Sequence, residues 1–279
     1  MQLDPRFWQG KRVCVTGGTG FLGWHLARLL MPLARHVRIL GLTPRSPALA
    51  EQMRGIDCVH ADIRDASAVR QAIADCELVF HTAGPVGVWG PALARMHEIH
   101  SLGTRNVLRA LAPNARLVHT SSVVAIGAAR DRTPLTETSP FQLQHLQVAY
   151  VHAKKAAEDI VLAAAGQGAD VLAVNPGYLI GPDDHDASVM GRLCLRVWKG
   201  KVPLIPPGGL NFVDVRDVAL GHLLAAERGR RGRRYILGGE NLLMAEFMQA
   251  LASVRGMSDR KSTRLNSSHI QKSRMPSSA

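Results

Sequence analysis

Residues 16–23, TGGTGFLG, stand between an apolar run, RVCVT at 12–16, and a stretch of helical period over 21–31. A strand that turns through several glycines straight into a helix leaves little freedom in what can be built around it. Gly17, Gly20 and Gly23 satisfy G-x-x-G-x-x-G, and Gly18, Gly20 and Gly23 satisfy G-x-G-x-x-G, with Phe21 and Leu22 opening the helix. Glycines in that register allow a tight turn, close approach of the backbone to a pyrophosphate and tight helix–strand packing. The helix N-terminus adds unpaired N–H donors and a favourable dipole. The alternative, a glycine-rich turn without ligand, leaves the strand–turn–helix context unexplained.

The rest of the chain alternates in the same way. Runs rich in Val, Ile and Leu at 12–16, 37–42, 58–61, 78–83, 116–122 and 171–176 predict strands covered on both faces. Helical stretches fall between them at 21–31, 65–74, 92–111 and 145–165. Alternation of this kind predicts an α/β fold, a Rossmann-type doubly wound parallel sheet with a smaller C-terminal substrate region. Residues 1–176 are expected to form the dinucleotide-binding domain. Residues 177–258 are expected to be a mixed region with a partial substrate domain, with a strand near 211–215 and helices near 215–227 and 244–254.

Residues 259–279 depart from this pattern, having no helical or strand period and few apolar side chains. They resemble the translation of a short-read sequencing adapter, which implies a non-native, disordered tail on a fragment. The segment supplies about +4 of the formal net charge of +12, leaving about +8 for the remainder. A basic balance raises the question of nucleic acid, but there is no interleaving of basic and aromatic residues and no recognition-helix pattern. The densest patch, RGRRGRR at 228–234, reads as a solvated loop, and a positive field also suits an anionic cofactor or substrate. With 46% hydrophobic residues the chain is too apolar for disorder, yet no run of about 20 uncharged apolar residues is present to span a membrane. Cys14, Cys58, Cys76 and Cys194 are far apart with no CxxC pair, as expected of thiols in a reducing compartment. Together with the lack of a charged-then-apolar leader, this predicts a cytoplasmic protein.

Cofactor preference is read at the end of the second predicted strand. An acid that would bind the ribose hydroxyls is missing from GLTPRSP at 41–47, where Arg45 stands instead. A guanidinium without a carboxylate favours a 2′-phosphate, hence NADP, with NAD kept open. Further on, Tyr150 and Lys154 are spaced i, i+4, so phenol and ammonium share a helix face. An adjacent ammonium and an oxidised nicotinamide would favour the phenolate. Bringing a tyrosine from about 10 to near 7 requires roughly 4 kcal/mol. Such a tyrosine can exchange a proton with a substrate hydroxyl. Ser121 and Ser122 end the preceding strand at the carboxyl edge, where ligands of α/β sheets bind and where a serine hydroxyl either bonds the substrate oxygen or caps the strand end. His97 and His100 lie on one helix without an ordered carboxylate, so no metal is expected. Asp183, Asp184, His185 and Asp186 follow a Gly-Pro turn and read as a solvated loop.

Taken together, TGGTGFLG, HADIRD, FHTAG, GTRNVLRA, VHTSS, Y-VHA-K, NPGYLIGP and FVDVRDVA occur in an order that resembles the extended short-chain dehydrogenase/reductases over residues 11–258. The likeness is to the branch of 3β-hydroxysteroid dehydrogenases, dihydroflavonol reductases and hopanoid-associated epimerases. The resemblance implies that Tyr150 is the acid/base, that Lys154 binds the nicotinamide ribose and tunes Tyr150, and that Ser122 holds the substrate oxygen. It further implies adenine contacts from Asp62 and Ile63, a cofactor wall from Ala83 and Gly84, and a segment along the nicotinamide from Pro176, Gly177 and Tyr178. In departure from the family pattern, His100 stands where an asparagine is frequent. Val123 and Val124 replace the two acids of the sugar 4,6-dehydratases, and Leu210 and Asn211 replace the arginine of many sugar-nucleotide enzymes. The loop GPVGVWGP at 84–91 is apolar and Trp-bearing, which suits a hydrophobic alcohol or ketone or, alternatively, packing onto the domain. The expected function is NAD(P)-dependent oxidation or reduction of a CH–OH group, with a sugar epimerase and a non-catalytic dinucleotide-binding regulator as competitors. The expected partner is a small-molecule substrate, with no nucleic acid, and a homodimer is left open.

Overall fold

The computed structural model describes residues 2–87, 91–131, 133–202 and 205–254. The expected non-native tail at 259–279 and the loop residue Trp89 lie outside the described residues.

The strands are β1 (Arg12–Thr16), β2 (His36–Gly41), β3 (Asp57–His60), β4 (Leu78–His81), β5 (Arg116–Thr120), β6 (Val171–Pro176), β7 (Tyr178–Ile180), β8 (Gly209–Asp214), β9 (Arg234–Leu237) and β10 (Glu240–Leu243). The helices are α1 (Pro5–Trp8), α2 (Phe21–Leu30), α3 (Pro47–Gln52), α4 (Ala66–Ile73), α5 (Met96–Ala110), α6 (Ala149–Gly166), α7 (Val189–Trp198), α8 (Val215–Arg228) and α9 (Met244–Val254). Among the described residues, seven strands form a parallel sheet in the order β3-β2-β1-β4-β5-β6-β9. The chain starts in the middle, winds outward to β3, then crosses back over β1 to the other half, which is the doubly wound topology expected.

Burial follows from that position. All four residues of β4 and all six of β6 are buried, as strands covered on both faces must be. One face packs Trp24, Leu26 and Leu30 of α2 with Val218, Ala219 and Leu223 of α8. The other packs Val69 and Ile73 of α4 with Val107 of α5 and Val161 of α6. Helix starts are marked by side chains that satisfy the free N–H groups of the first turn. Asp65 accepts from Ser67 and Ala68 at the head of α4, and Asp214 accepts from Arg216 at the head of α8. Among the described residues, no helix is long and apolar enough to cross a membrane.

Register aligns the ends of the strands. Thr16 lies opposite Leu40 and His81, His81 opposite His119, and Thr120 opposite Val174. The segments that follow β1, β4, β5 and β6 therefore leave the sheet along one carboxyl edge. The strand β9, which the hydrophobic pattern does not single out, closes that edge by pairing Pro176 with Leu237. Beyond it, β7 and β8 pair in parallel, with Tyr178 opposite Phe212.

The chain divides into two compact units. The first, Met1–Gly191 with Asn211–Glu240, contains the seven-stranded sheet. The second, of which residues 192–202, 205–210 and 241–254 are described, contains α9, where the Glu246 carboxylate accepts from the Leu243 N–H at 2.8 Å.

Candidate active site

The glycine turn forms because side chains do not fit in it. Gly17 has φ +72°, and a Cβ there would lie 2.7 Å from Ala83 Cα. A Cβ on Gly23 would lie 2.2 Å from the Gly17 carbonyl oxygen. Gly20 is the N-cap of α2 without a capping side chain, so the first N–H groups of α2 remain available to an outside acceptor. Gly17, Gly18, Gly20, Phe21, Leu22 and Gly23 thus form a backbone cradle closed on one side by Ala83, which Gly84 follows. A cradle that a Cβ would fill fits a dinucleotide pyrophosphate.

Adjacent segments extend the cradle along the sheet edge. After β3, the Ile63 and Arg64 carbonyls accept from Asn106 Nδ2 on α5 at 3.2 and 2.9 Å, fixing the loop that holds Asp62 and Ile63. Ile63 is buried, and Asp62 is paired with Arg64 at 2.8 Å, which holds its carboxyl below the usual range. Arg45 stands exposed in the loop between β2 and α3. Pro176 ends β6, Gly177 donates its N–H to the Leu237 carbonyl at 3.1 Å, and the Tyr178 ring stands 6.5 Å from that of Phe212.

Ser122, Tyr150 and Lys154 meet at the centre of the same edge. Ser122 caps a short 3-10 turn over Val123–Ala125, and Tyr150 begins α6 within hydrogen-bonding reach of the Ser122 side chain. One turn later, Lys154 is only 5% exposed and donates from Nζ to the Thr120 carbonyl at 2.9 Å. Thr120 gives its hydroxyl hydrogen to His222 Nε2 at 2.8 Å. That tautomer follows because His222 Nδ1 donates to the Val218 carbonyl. Burial pushes Lys154 down to about 8, with Glu158 opposing the fall.

The protein surroundings alone act on Tyr150 in the direction opposite to an ammonium and a nicotinamide. Burial pushes its phenol up to about 12, the Ser122 hydrogen bond offsets part of the rise, and Tyr178 adds to it. Local spacing puts an ammonium on the same helix face, but the tertiary surroundings remove water from the phenolate, and that effect is larger.

His100 also belongs to this site. It is 1% exposed, its Nε2 donates to the Pro85 carbonyl at 3.0 Å, and its ring meets that of Tyr150 edge-on at 6.2 Å. It packs against Gly84, where a Cβ would lie 2.2 Å from its Cε1. Burial lowers His100 to about 3, so it is a neutral ring in the wall beside the phenol. The departure from asparagine at this position was the signal in the sequence. The buried Glu158 and Asn175 and the partly buried Arg234 are further polar groups behind Ser122 that motif reading passes over.

The aspartates after the Gly-Pro turn serve the loop itself. Asp183 pairs with Arg28 at 2.7 Å, and Asp184 accepts from the Ser188 N–H at 2.8 Å. In the arginine run, Arg228 and Arg231 bind backbone carbonyls at the surface, whereas Arg234 turns inward.

Residues 13–238 match the NAD dependent epimerase/dehydratase family. A putative dihydroflavonol 4-reductase of Synechocystis sp. is 38% identical over 270 residues, covering 94% of this chain and 78% of that protein. Sterol demethylase protein B of Methylococcus capsulatus is 32% identical over 249 residues, covering 87% and 74%. The crystal structure of a Thermus thermophilus UDP-glucose 4-epimerase in complex with NAD is similar with a TM-score of 0.74 and 27% identity, covering 88% of this chain and 84% of that one.

Proposed function

Since the chain belongs to the NAD dependent epimerase/dehydratase family, the NAD(P)-dependent extended short-chain dehydrogenase/reductases, we propose that it interconverts a hydrophobic secondary alcohol and its ketone, with NADP(H) preferred. The reading rests on one observation above all: Tyr150, whose phenol interacts with the Ser122 side chain, stands one helical turn from buried Lys154, whose Nζ donates to the Thr120 carbonyl at 2.9 Å. The glycine cradle of residues 17–23 would hold the pyrophosphate, Asp62 and Ile63 the adenine side, Arg45 a 2′-phosphate, and Lys154 the nicotinamide ribose. When bound, the nicotinamide supplies or takes up the hydride.

The chain's own residues handle the oxygen. Ser122 gives a hydrogen bond to the carbonyl or carbinol oxygen and holds it against Tyr150. A phenol raised to about 12 keeps its proton at neutral pH, so Tyr150 suits the proton-donating role of ketone reduction. In the opposite direction the ammonium of Lys154 offsets the phenolate that forms. Val123 and Val124 follow Ser122 where an eliminating enzyme would need acids, which favours redox exchange over dehydration.

The test is Tyr150→Phe. We expect it to retain NADPH binding, read by nucleotide fluorescence, and to lose at least about 100-fold in turnover with a hydrophobic ketone that the parent reduces. Equal turnover by parent and variant would remove Tyr150 from the mechanism.

A further inference from the structure

The helix face that carries Tyr150 and Lys154 carries a third ionisable group for which the proposed reaction has no use. Glu158 lies one turn beyond Lys154 and is 0% exposed. Its Oε1 accepts from Arg234 Nη1 at 3.0 Å, and its Oε2 accepts from Asn175 Nδ2 at 2.6 Å. The same Asn175 amide donates to the Ser122 carbonyl at 3.0 Å. Both contacts of this amide run inward, while Asn175 Oδ1 is buried with no partner among the described residues. Arg234 also donates to the Glu137 and Ser139 carbonyls at 2.7 and 3.2 Å. A continuous chain of bonds therefore runs from β9 through Arg234, Glu158 and Asn175 to the backbone of Ser122.

A buried ion pair adds little net stability over an apolar pair of similar volume. The informative fact is where this one ends. We propose that Glu158 is a positioning residue of the site: through Asn175 it fixes the backbone of Ser122, and it places a counter-charge one helical turn from Lys154. The proposal rests on the reading of Ser122, Tyr150 and Lys154 as the reacting set.

The groups around Lys154 make the second role specific. His81 on β4, His119 on β5 and His100 on α5 all interact with its charge, and burial holds all three far below their ordinary range. Tyr150, on α6 itself, is pushed up by burial. At neutral pH these four are uncharged, and Glu158 is the group whose charge supports the ammonium.

The full chain has seven lysines, few enough for the Lys154 signal to be assigned in an ε-13C-lysine spectrum by its loss in Lys154→Met. In Glu158→Gln we expect the Lys154 titration midpoint to fall by about 1 pH unit or more while the other lysines stay in place. Turnover should fall about 10-fold through displacement of Ser122. Asn175→Leu, which keeps the carboxylate, should leave the Lys154 midpoint where it is and lower turnover by a similar factor. If Glu158→Gln does not fold, the double variant Glu158→Gln/Arg234→Leu removes both charges and must show the same fall in midpoint. A folded variant with an unchanged Lys154 midpoint overturns the proposal. If the parent reduces no ketone, the lysine titration still decides the role of Glu158, and the oxidoreductase reading is what fails.

Discussion

Lys154 Nζ donates to the Thr120 carbonyl at 2.9 Å, tying α6 to the last residue of β5 just before Ser122. The bond holds a cation in a place that water does not reach. Burial lowers its pKa from 10.5 to about 8, which at pH 7 corresponds to roughly 3 kcal/mol of folding free energy set against the ammonium.

Lys154→Met should therefore raise stability while removing function. The folded pKa is depressed, so the stability tied to this group is present above about 10.5 and lost as pH falls through about 8. The lost bond to Thr120 offsets about 1–2 kcal/mol, leaving a net gain of roughly 1–2 kcal/mol at pH 7. Urea denaturation at pH 7 checks the gain, with turnover expected to drop at least about 100-fold. A variant less stable than the parent would mean that the Thr120 bond outweighs desolvation.

The proposed cofactor preference rests on the end of β2. Arg45 is exposed in the loop that follows Gly41, where a ribose-binding acid is absent. NADPH is expected to bind more tightly than NADH, and Arg45→Ala should narrow the gap by about 1–3 kcal/mol, as for one charged hydrogen bond. Isothermal titration with both nucleotides measures this. Equal affinities in the parent would leave Arg45 without a role.

The glycine turn gives a purely steric expectation. In Gly23→Ala the new methyl would stand 2.2 Å from the Gly17 carbonyl, so either α2 or the turn must move. Overpacking of this kind costs about 1–3 kcal/mol. Thermal unfolding should show the loss, and NADPH binding should weaken at least about 10-fold because the cradle changes shape. Unchanged binding would place the pyrophosphate elsewhere.

What could be read from the sequence depended on the reach of each signal. The turn from Thr16 to Gly23 and the pair Tyr150 and Lys154 are local runs, so pattern and spacing suffice. The parallel strands up to β6 follow from apolar runs between helices, but Arg234–Leu237 is only partly buried and its apolar run is just three residues, so the pattern does not single it out as the seventh strand. The chain from Arg234 through Glu158 to Asn175 joins segments 76 and 17 residues apart, beyond any short motif. His100 could be marked only as a departure from a pattern. Its edge-on approach to Tyr150 comes from how α5 lies over Gly84. The burial that raises Tyr150 was out of reach for the same reason: spacing reveals a neighbouring charge, whereas burial is a property of the folded state.

Buried histidines should make the protein sensitive to mild acid. His81 bridges Thr16 and Thr104 at 2.7 and 3.1 Å, and burial lowers it to about 3. Burial likewise lowers His100 to about 3 and His222 to about 4, while His119 is pushed down beside His81 at a ring distance of 5.2 Å. In the unfolded chain each would titrate near 6.5. The folded pKa values are depressed, so the stability tied to these rings is complete above about 6.5 and is lost as pH falls toward their folded values. Each ring removes on the order of 1.4 kcal/mol per pH unit once below 6.5, so even three together are large against a stability of about 5–15 kcal/mol. The carboxylates held low by arginines, Asp62 and Asp214 among them, lose their contribution only near and below about 4, which leaves the interval from 6.5 to 5 to the histidines. The urea midpoint should therefore fall steeply between pH 6.5 and 5. The paired replacement His222→Phe with Thr120→Val, which removes one ring and its hydroxyl partner together, should reduce that slope by about 1.4 kcal/mol per pH unit. A parent midpoint that is the same at pH 5 and pH 7 would show that these rings take up protons in the folded state as readily as in the unfolded one.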